Sequence, residues 1–294
     1  MDALSADDVA RATSLRERLA GLGRCLVAFS AGVDSTYLLA EAHAVLGANC
    51  TAVTADSPSL TRAGLAEARA FCADHGITHR VVQTDEFEQA AYLANQGDRC
   101  GHCKAALMRA MHALDQATSD RPAALLLGAI TDDLADWRPG MRAASAAGAA
   151  FPLAEAGLNK AAVRRLSRHL GLATAERPAE PCLSSRMPYG EPVSIAGVRM
   201  VEAAEAALKG LGLGECRARH HRIGANPDGS PRGFLCRIEV PERDLPAVVA
   251  QRATVVARLT AIGYLNVALD LAGLHSGGFN RLLGAESNPH GKQP

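Results

Sequence analysis

Arg24-Cys25-Leu26-Val27-Ala28-Phe29-Ser30-Ala31-Gly32-Val33-Asp34-Ser35 is a short apolar run that stops at a Ser/Gly turn and resumes as a helical pattern from Asp34 to Leu46. An uninterrupted apolar strand of this kind suits a parallel sheet buried on both faces. The unit then repeats. Cys50 to Ala55 predicts a strand, Thr61 to His75 a helix and His79 to Thr84 a strand. After a loop from Asn95 to Gly101, the pattern predicts a helix over His102 to Ala117 and a strand over Ala123 to Gly128. Alternating strands and helices imply an α/β fold with a doubly wound parallel sheet, which binds ligands beyond the carboxyl ends of its strands.

The turn carries the first chemical signal. Ser30 to Ser35 offers hydroxyls, a glycine for close backbone approach, and amides at a helix N-terminus, a nest suited to anionic phosphate. The lysine of a Walker A loop is absent, which argues against γ-phosphate transfer of the usual P-loop kind. The six residues alone also fit an ordinary serine-capped strand-to-helix turn.

From Pro192 onward the rhythm changes. A helix from Ile195 to Leu211, strands over Cys216 to Ile223 and Phe234 to Val240, a long helix from Leu245 to Leu259 and a strand from Tyr264 to Leu271 predict a smaller α+β domain. The Pro/Gly-rich stretch Arg186-Met187-Pro188-Tyr189-Gly190-Glu191-Pro192 marks the junction, giving domains over 1–190 and 191–280. The polar stretch 281–294 is expected to be disordered.

The 294 residues are 48% hydrophobic and 21% charged with zero net charge, enough to bury a large core. Balanced charge leaves no global electrostatic footprint for nucleic acid or an anionic membrane. The first twelve residues lack the basic start and apolar core of a signal peptide, and no uncharged apolar run reaches the roughly 18 residues of a membrane span. A soluble, cytoplasmic protein with no membrane partner is expected. Its eight cysteines should then be thiols or metal ligands. Cys25, Cys50 and Cys72 lie in or beside apolar segments and read as small buried hydrophobes. Cys100, Cys103 and Cys182 sit instead in polar segments containing Gly or Pro.

Asp98-Arg99-Cys100-Gly101-His102-Cys103-Lys104 places two thiols one turn apart at a helix start, beside three cationic or potentially cationic side chains that favour thiolate. Taken alone, a Cys-x-x-Cys pair fits redox chemistry, zinc, an iron-sulfur cluster or no chemistry. Pro181-Cys182-Leu183-Ser184-Ser185-Arg186 sets a single cysteine near an arginine, compatible with a reactive or a ligand cysteine.

Ser30 to Ser35 resembles the SGGxDS loop of the PP-loop ATP pyrophosphatases, of adenine nucleotide α-hydrolase-like fold. That resemblance implies that ATP is cleaved between its α and β phosphates, with Ser30, Gly32, Val33, Asp34 and Ser35 holding the pyrophosphate. It also implies that Thr54 and Ala55, at the end of the second strand, face the adenine and ribose. Ala31 stands where the superfamily usually has a second glycine; if the position needs a positive φ, alanine is strained there by about 1 kcal/mol or more.

Four longer segments, in order, resemble the LarE family: Arg99 to Lys104, Asp132 to Gly140, Pro152 to Lys160, and Cys182 to Gly190. The likeness continues through Arg217-Ala218-Arg219-His220-His221, Arg237-Ile238-Glu239-Val240 and Leu269-Asp270-Leu271. It implies an ATP-dependent sulfurtransferase that adenylates the carboxylates of pyridinium-3,5-biscarboxylic acid mononucleotide and replaces AMP with sulfur, towards a nickel-pincer nucleotide cofactor. In one branch of the family the catalytic cysteine, here Cys182, gives up its own sulfur. In the other, three cysteines hold a [4Fe-4S] cluster, and Cys100, Cys103 and Cys182 make this chain resemble that branch. Three thiolates leave one iron open to sulfide; zinc on the three thiolates plus His102, and a self-sacrificing Cys182, remain alternatives.

The resemblance further makes Arg186, Arg217 and Arg219 candidates for the substrate phosphate or carboxylates, although the alternate spacing of Arg217 and Arg219 equally suits a solvated strand face. Asp132, Asp133 and Asp136 are candidates for Mg²⁺ or the adenylate, or are helix caps; Ile130 replaces a more usual polar residue there. His220 and His221 receive no role. The family also implies a small-molecule nucleotide partner and a homo-oligomer, with the apolar helix from Leu245 to Leu259 as an interface. A tRNA thiolation enzyme is the rival reading, against which the neutral charge and the LarE-like second half both count, so no tRNA partner is expected. Ala31 motivates a third reading, a nucleotide-binding domain without turnover.

Overall fold

A computed structural model describes residues 4–134, 139–275 and 279. Asp136 and the stretch 281–294 lie outside the described residues. In chain order the elements begin with α1 (Ala6–Ala20), β1 (Cys25–Ala28), α2 (Val33–Leu46), β2 (Cys50–Asp56), α3 (Arg62–Asp74), β3 (Thr78–Gln83) and α4 (Ala90–Leu93). Next come α5 (Arg99–Thr118), β4 (Ala124–Leu126), α6 (Thr131–Leu134), α7 (Pro139–Ala146), β5 (Ala149–Ala150), α8 (Pro152–Glu155) and α9 (Lys160–His169). The last are α10 (Ile195–Lys209), β6 (Arg217–Ala225), β7 (Pro231–Glu239), α11 (Leu245–Ala250), α12 (Arg252–Ile262) and β8 (Asn266–Leu269).

The chain forms two compact units, Met1–Glu86 with Asp98–Glu180, and Phe87–Gly97 with Pro181–Pro294. The division falls before the Pro/Gly-rich stretch 186–192, because the turn after Pro181 is tied by Arg186 to Glu205 of α10.

The first unit carries an all-parallel sheet of order β3-β2-β1-β4-β5, the α/β fold that the alternation predicts. Side chains of β1 alternate between its faces. Cys25 and Val27 enter a core built with Leu15 and Leu19 of α1, Leu38 of α2 and Val163 of α9. Leu26 enters a second core with Met108 and Met111 of α5. Burial on both faces explains why β1 reads as a continuous apolar run. Helix α1 was not anticipated, although Ala12, Leu15 and Leu19 are buried at helical spacing and Ser5 caps it by accepting from the Asp8 amide.

In the second unit β6 pairs antiparallel with β7, and β7 parallel with β8. Ala204 and Leu208 of α10 and Val255 and Leu259 of α12 pack with Ala218, Cys236 and Ile238 of this sheet. The expected long helix from Leu245 to Leu259 is broken at Gln251 into α11 and α12, bent by 85°. The bend lets Val248 and Val255 both reach the core. No single helix among the described residues is long and apolar enough to cross a membrane; α11 and α12 reach that length only together, across the bend.

Helix α5 begins at Arg99, inside the expected loop, because the Gly101 amide donates to the Asp98 carbonyl at 2.7 Å and starts the turn early. Cys100 therefore lies in the first turn of a helix, with Cys103 one turn further on.

Candidate active site

The turn 30–35 stands at the carboxyl end of β1. The Phe29 amide still donates to Val53 of β2; Ala31 then takes φ +55 and the chain reverses into α2. The conditional strain at Ala31 is thus real: an alanine occupies the left-handed region, at a cost of about 1 kcal/mol. Its carbonyl is held by Arg177, whose Nη1 donates at 2.7 Å, while Nη2 pairs with Glu67. Gly32 is the N-cap of α2 and makes no side-chain cap bond. The first amides of α2 are therefore not capped by a side chain, as a phosphate nest requires.

Inside the turn, the Ser35 hydroxyl donates to the Gly32 carbonyl at 3.1 Å and lies 3.2 Å from the Ser30 hydroxyl. Val33 is buried. Below the turn lies Gly128, just past β4. A Cβ there would stand 2.9 Å from the Ser35 nitrogen and 3.0 Å from its Cα, both backbone atoms. Gly128 was expected only as a strand end; it is what lets the start of α2 rest against the strand.

Asp34 occupies the first turn of α2. Its Oδ2 accepts from Lys160 Nζ at 2.5 Å, while its Oδ1 is buried without a hydrogen-bond partner. Burial raises the Asp34 pKa above the usual carboxylate range, and Lys160 acts in the opposite sense.

Thr54 is buried, and its hydroxyl donates to the Phe29 carbonyl at 2.8 Å with His79 Nε2 also at 2.8 Å. It braces the end of β1, so the Thr54 hydroxyl is engaged within the fold. Asp132 accepts from the Lys160 amide at 2.9 Å, and Asp133 from the Ile130 amide at 3.0 Å. The two carboxylates thus hold backbone amides at the carboxyl side of β4, and Asp133 also acts electrostatically on Asp34.

Cys100 is exposed and Cys103 half-buried. Of their expected cationic neighbours, Arg99 is buried and His102 pairs with Asp98 at 3.2 Å. Within each unit, among the described residues, no three His, Cys, Asp or Glu side chains are grouped to hold a metal ion. A cavity of about 150 Å³ among α1, α2 and α9 shares no residue with the turn 30–35, and its charged pair, Arg16 and Glu41, is already bidentate.

In the second unit the exposed Cys182 opens a short turn held from within. Arg186 is 2% exposed; Nε and Nη2 donate to Glu205 at 2.7 and 3.1 Å, and Nη1 to the Pro181 carbonyl and the Ser185 hydroxyl at 2.9 Å each. Tyr92 lies 2.8 Å from the Ser184 hydroxyl, and Asn95 Nδ2 donates to the Pro188 and Glu191 carbonyls.

Arg217 and Arg219 share one face of β6, but they are 8% and 3% exposed, which overturns the solvated-face alternative. Arg219 donates to the Ser185 carbonyl and to Glu239, leaves Nε buried and unpartnered, and lies 4.6 Å from the Phe279 ring centre. Arg217 donates to the His275 carbonyl. Burial lowers its pKa, with Arg219 and Arg186 adding to the effect. Glu239 and Glu205 act on Arg217 in the opposite sense, so these arginines offer an anion only the donors that the two carboxylates leave open.

The chain is similar to the pyridinium-3,5-bisthiocarboxylic acid mononucleotide synthase of Lactiplantibacillus plantarum, 34% identical over 266 residues that cover 90% of this chain and 92% of that protein. The chain belongs to the LarE family. An uncharacterized protein of Synechocystis sp. is 39% identical over 272 residues, covering 92% of this chain and 97% of that one. Another from Methanocaldococcus jannaschii is 21% identical over 248 residues, covering 84% and 89%. No family model matches the chain.

The LarE-like segments gain physical roles from this geometry. Sequence reading missed Glu205, whose only signal was an acid on the apolar face of a helix, and gave no task to Glu239, although it was quoted within a LarE-like segment. It also missed Lys160, quoted within a segment but given no task, and Arg177, which carried no signal.

Proposed function

We propose that this LarE-family chain is an ATP-dependent sulfurtransferase acting on pyridinium-3,5-biscarboxylic acid mononucleotide. The observation that carries the reading is the phosphate turn, with α2 lacking a side-chain cap at the carboxyl edge of a parallel sheet and no Walker lysine in the loop. A substrate carboxylate oxygen attacks the α-phosphorus of ATP, and pyrophosphate leaves with the electron pair of the α–β bridge. The turn 30–35 holds that leaving group. Hydrosulfide then attacks the acyl carbon, AMP leaves, a proton is released, and a thiocarboxylate remains. The second carboxylate follows the same course.

Asp34 suits Mg²⁺ through its unpartnered Oδ1, and the ion, when bound, shields the phosphate charge. Arg217 and Arg219 hold the anionic substrate, whereas Arg186, with Nε, Nη1 and Nη2 all donating within the unit, positions the Cys182 turn. Cys100, Cys103 and Cys182 are the ligands we assign to a [4Fe-4S] cluster, on the chemistry of the donors: Cys100 and Cys182 are exposed and Cys103 is half-buried, unlike the other five cysteines. When bound, such a cluster supplies an open iron for exchangeable sulfide. The exposed Val249 and Val256 of α11 and α12 are the face we assign to self-association.

The test is anaerobic incubation of reconstituted protein with ATP, sulfide and the dicarboxylate nucleotide. AMP, pyrophosphate and a product heavier by the oxygen-to-sulfur exchange are expected. Release of ADP with no AMP would sink the reading, and tRNA binding with a steep salt dependence would favour the thiolation rival instead.

A further inference from the structure

Among the described residues other than glycine, only Ala31 and Asn95 take a positive φ. Asn95 compensates through its side chain, which donates to the Pro188 and Glu191 carbonyls. An alanine has no polar side-chain atom with which to do so, and a residue strained in this way persists only where its surroundings hold it. We infer that Arg177 is a positioning residue of the turn 30–35, which keeps Ala31 in the left-handed conformation and so aims the Gly32 amide at the pyrophosphate. The inference rests on the ATP reading above.

Two anchors flank the strained residue. Before it, the Phe29 amide donates to the Val53 carbonyl and the Phe29 carbonyl accepts from the Thr54 hydroxyl. After it, the Gly32 carbonyl accepts from the Thr36 amide at 2.9 Å and from the Ser35 hydroxyl at 3.1 Å. Between these anchors lies the Ala31–Gly32 peptide, whose carbonyl accepts from Arg177 Nη1 at 2.7 Å. The peptide is trans, so its N–H points away from its C=O and away from the guanidinium. Holding the oxygen therefore fixes the amide, at the end of α2 that no side chain caps.

Arg177 stands 146 positions beyond Ala31 and is built to hold rather than to bind. It follows the short turn Ala173–Glu176, and Arg164 ties that stretch down by donating to the Ala175 and Arg177 carbonyls. Its Nη2 pairs with Glu67 of α3, which offsets the charge it could offer an anion. While the clamp is closed, a hydrogen bond from a charged donor outweighs the left-handed strain. Once it is opened, the strain is free to act: the alanine relaxes towards negative φ and the amide turns away. Pyrophosphate then binds only the fraction of molecules whose turn is still competent, and its apparent affinity falls by that fraction. Glycine at this position takes either sign of φ and has little need of the clamp.

The test is a double-mutant cycle on the full chain, read by calorimetric titration with inorganic pyrophosphate plus Mg²⁺ and by thermal melting. Arg177→Met should weaken pyrophosphate binding by about 5- to 30-fold, the left-handed strain of an alanine expressed as a population. In the Ala31→Gly background the same substitution should cost about twofold or less. Equal losses in the two backgrounds would overturn the inference, because a cation that touches the ligand is needed whatever stands at position 31. Unchanged affinity in Arg177→Met would overturn it too, and a lowered melting temperature would then leave Arg177 as a tie to α3 alone. Should Arg177→Met fold poorly, Glu67→Gln takes its place: it loosens the guanidinium from α3, and the loss of about two- to fivefold that it causes should likewise vanish with Ala31→Gly. Wild-type protein that binds neither pyrophosphate nor ATP would instead overturn the nucleotide reading itself, and this inference with it.

Discussion

Arg186 and Glu205 form a bidentate ion pair whose side chains are 2% and 5% exposed. It joins the turn that opens with Cys182 to the middle of α10, and Glu205 also accepts from the Ala218 amide at 3.1 Å. Removing one partner of such a pair strands a charge in a dry interior. Glu205→Leu should therefore destabilise the second unit by about 3–5 kcal/mol, read as a lower urea midpoint. Pyrophosphate binding by the first unit should be unaffected, and a variant as stable as wild type would show the pair to be dispensable.

Ala31 holds a positive φ, and glycine adopts that conformation without strain. Ala31→Gly should leave stability unchanged or raise it by up to about 0.6 kcal/mol, the relief of left-handed strain less the greater freedom of glycine in the unfolded chain. Nucleotide affinity should be equal or tighter. Weaker binding would mean that the alanine methyl, which is buried, supports the turn by packing.

Gly128→Ala acts in the opposite sense. The added methyl would lie within 3.0 Å of the Ser35 backbone, which cannot move without displacing the start of α2. We expect a loss of about 1–3 kcal/mol in stability and at least tenfold weaker pyrophosphate binding. Unchanged affinity would show that the turn tolerates displacement.

His220 and His221 are both held near 4, in each case chiefly by burial, with Arg237 and Arg219 adding to the effect at His221. Arg237 Nε donates to His221 Nε2 at 3.3 Å, which fits a neutral ring with a free lone pair. Both folded-state values lie below the ordinary 6.5, so in acid the unfolded chain takes up protons first. Stability should be level above pH 6.5 and fall between about 6.5 and 4. Replacing both residues with Gln should flatten that slope, and a slope unchanged in the double variant would assign it to carboxylates instead.

Cys100→Ala, Cys103→Ala and Cys182→Ala should each lower iron and acid-labile sulfide after anaerobic reconstitution to a small fraction of wild type. AMP formation should continue at a similar rate. Single-turnover sulfur transfer by the first two variants, with about the mass of H₂S lost from Cys182, would instead assign the sulfur to Cys182 itself.

Much of the fold was legible because the strands of a two-sided parallel sheet are uniformly apolar, as in Cys25 to Ala28, and because turns rich in Gly and Ser interrupt them. Helix α1 escaped because its buried residues are spaced among charges. The break at Gln251 escaped because the apolar pattern runs through it without Pro or Gly. Single residues of the candidate site were singled out where a motif named them, as with Asp34 and Cys182. Their partners were not, since Lys160, Glu205 and Arg177 meet them only through tertiary packing, and nothing local in the sequence marks an ion pair 126 residues long.

The segment Phe87–Gly97 belongs to the second unit although it lies between β3 and α5 of the first. The backbone accordingly changes unit three times, after Glu86, Gly97 and Glu180. No single proteolytic cut or stop codon can deliver either unit whole. A fragment starting at Pro181 would lack Asn95, and with it the amide that ties down the Pro188 and Glu191 carbonyls. On the ribosome the small unit cannot mature when its first segment, which carries α4, is made. It must wait with an early piece already in hand, so separating the two halves for study requires circular permutation or a spliced linker rather than truncation.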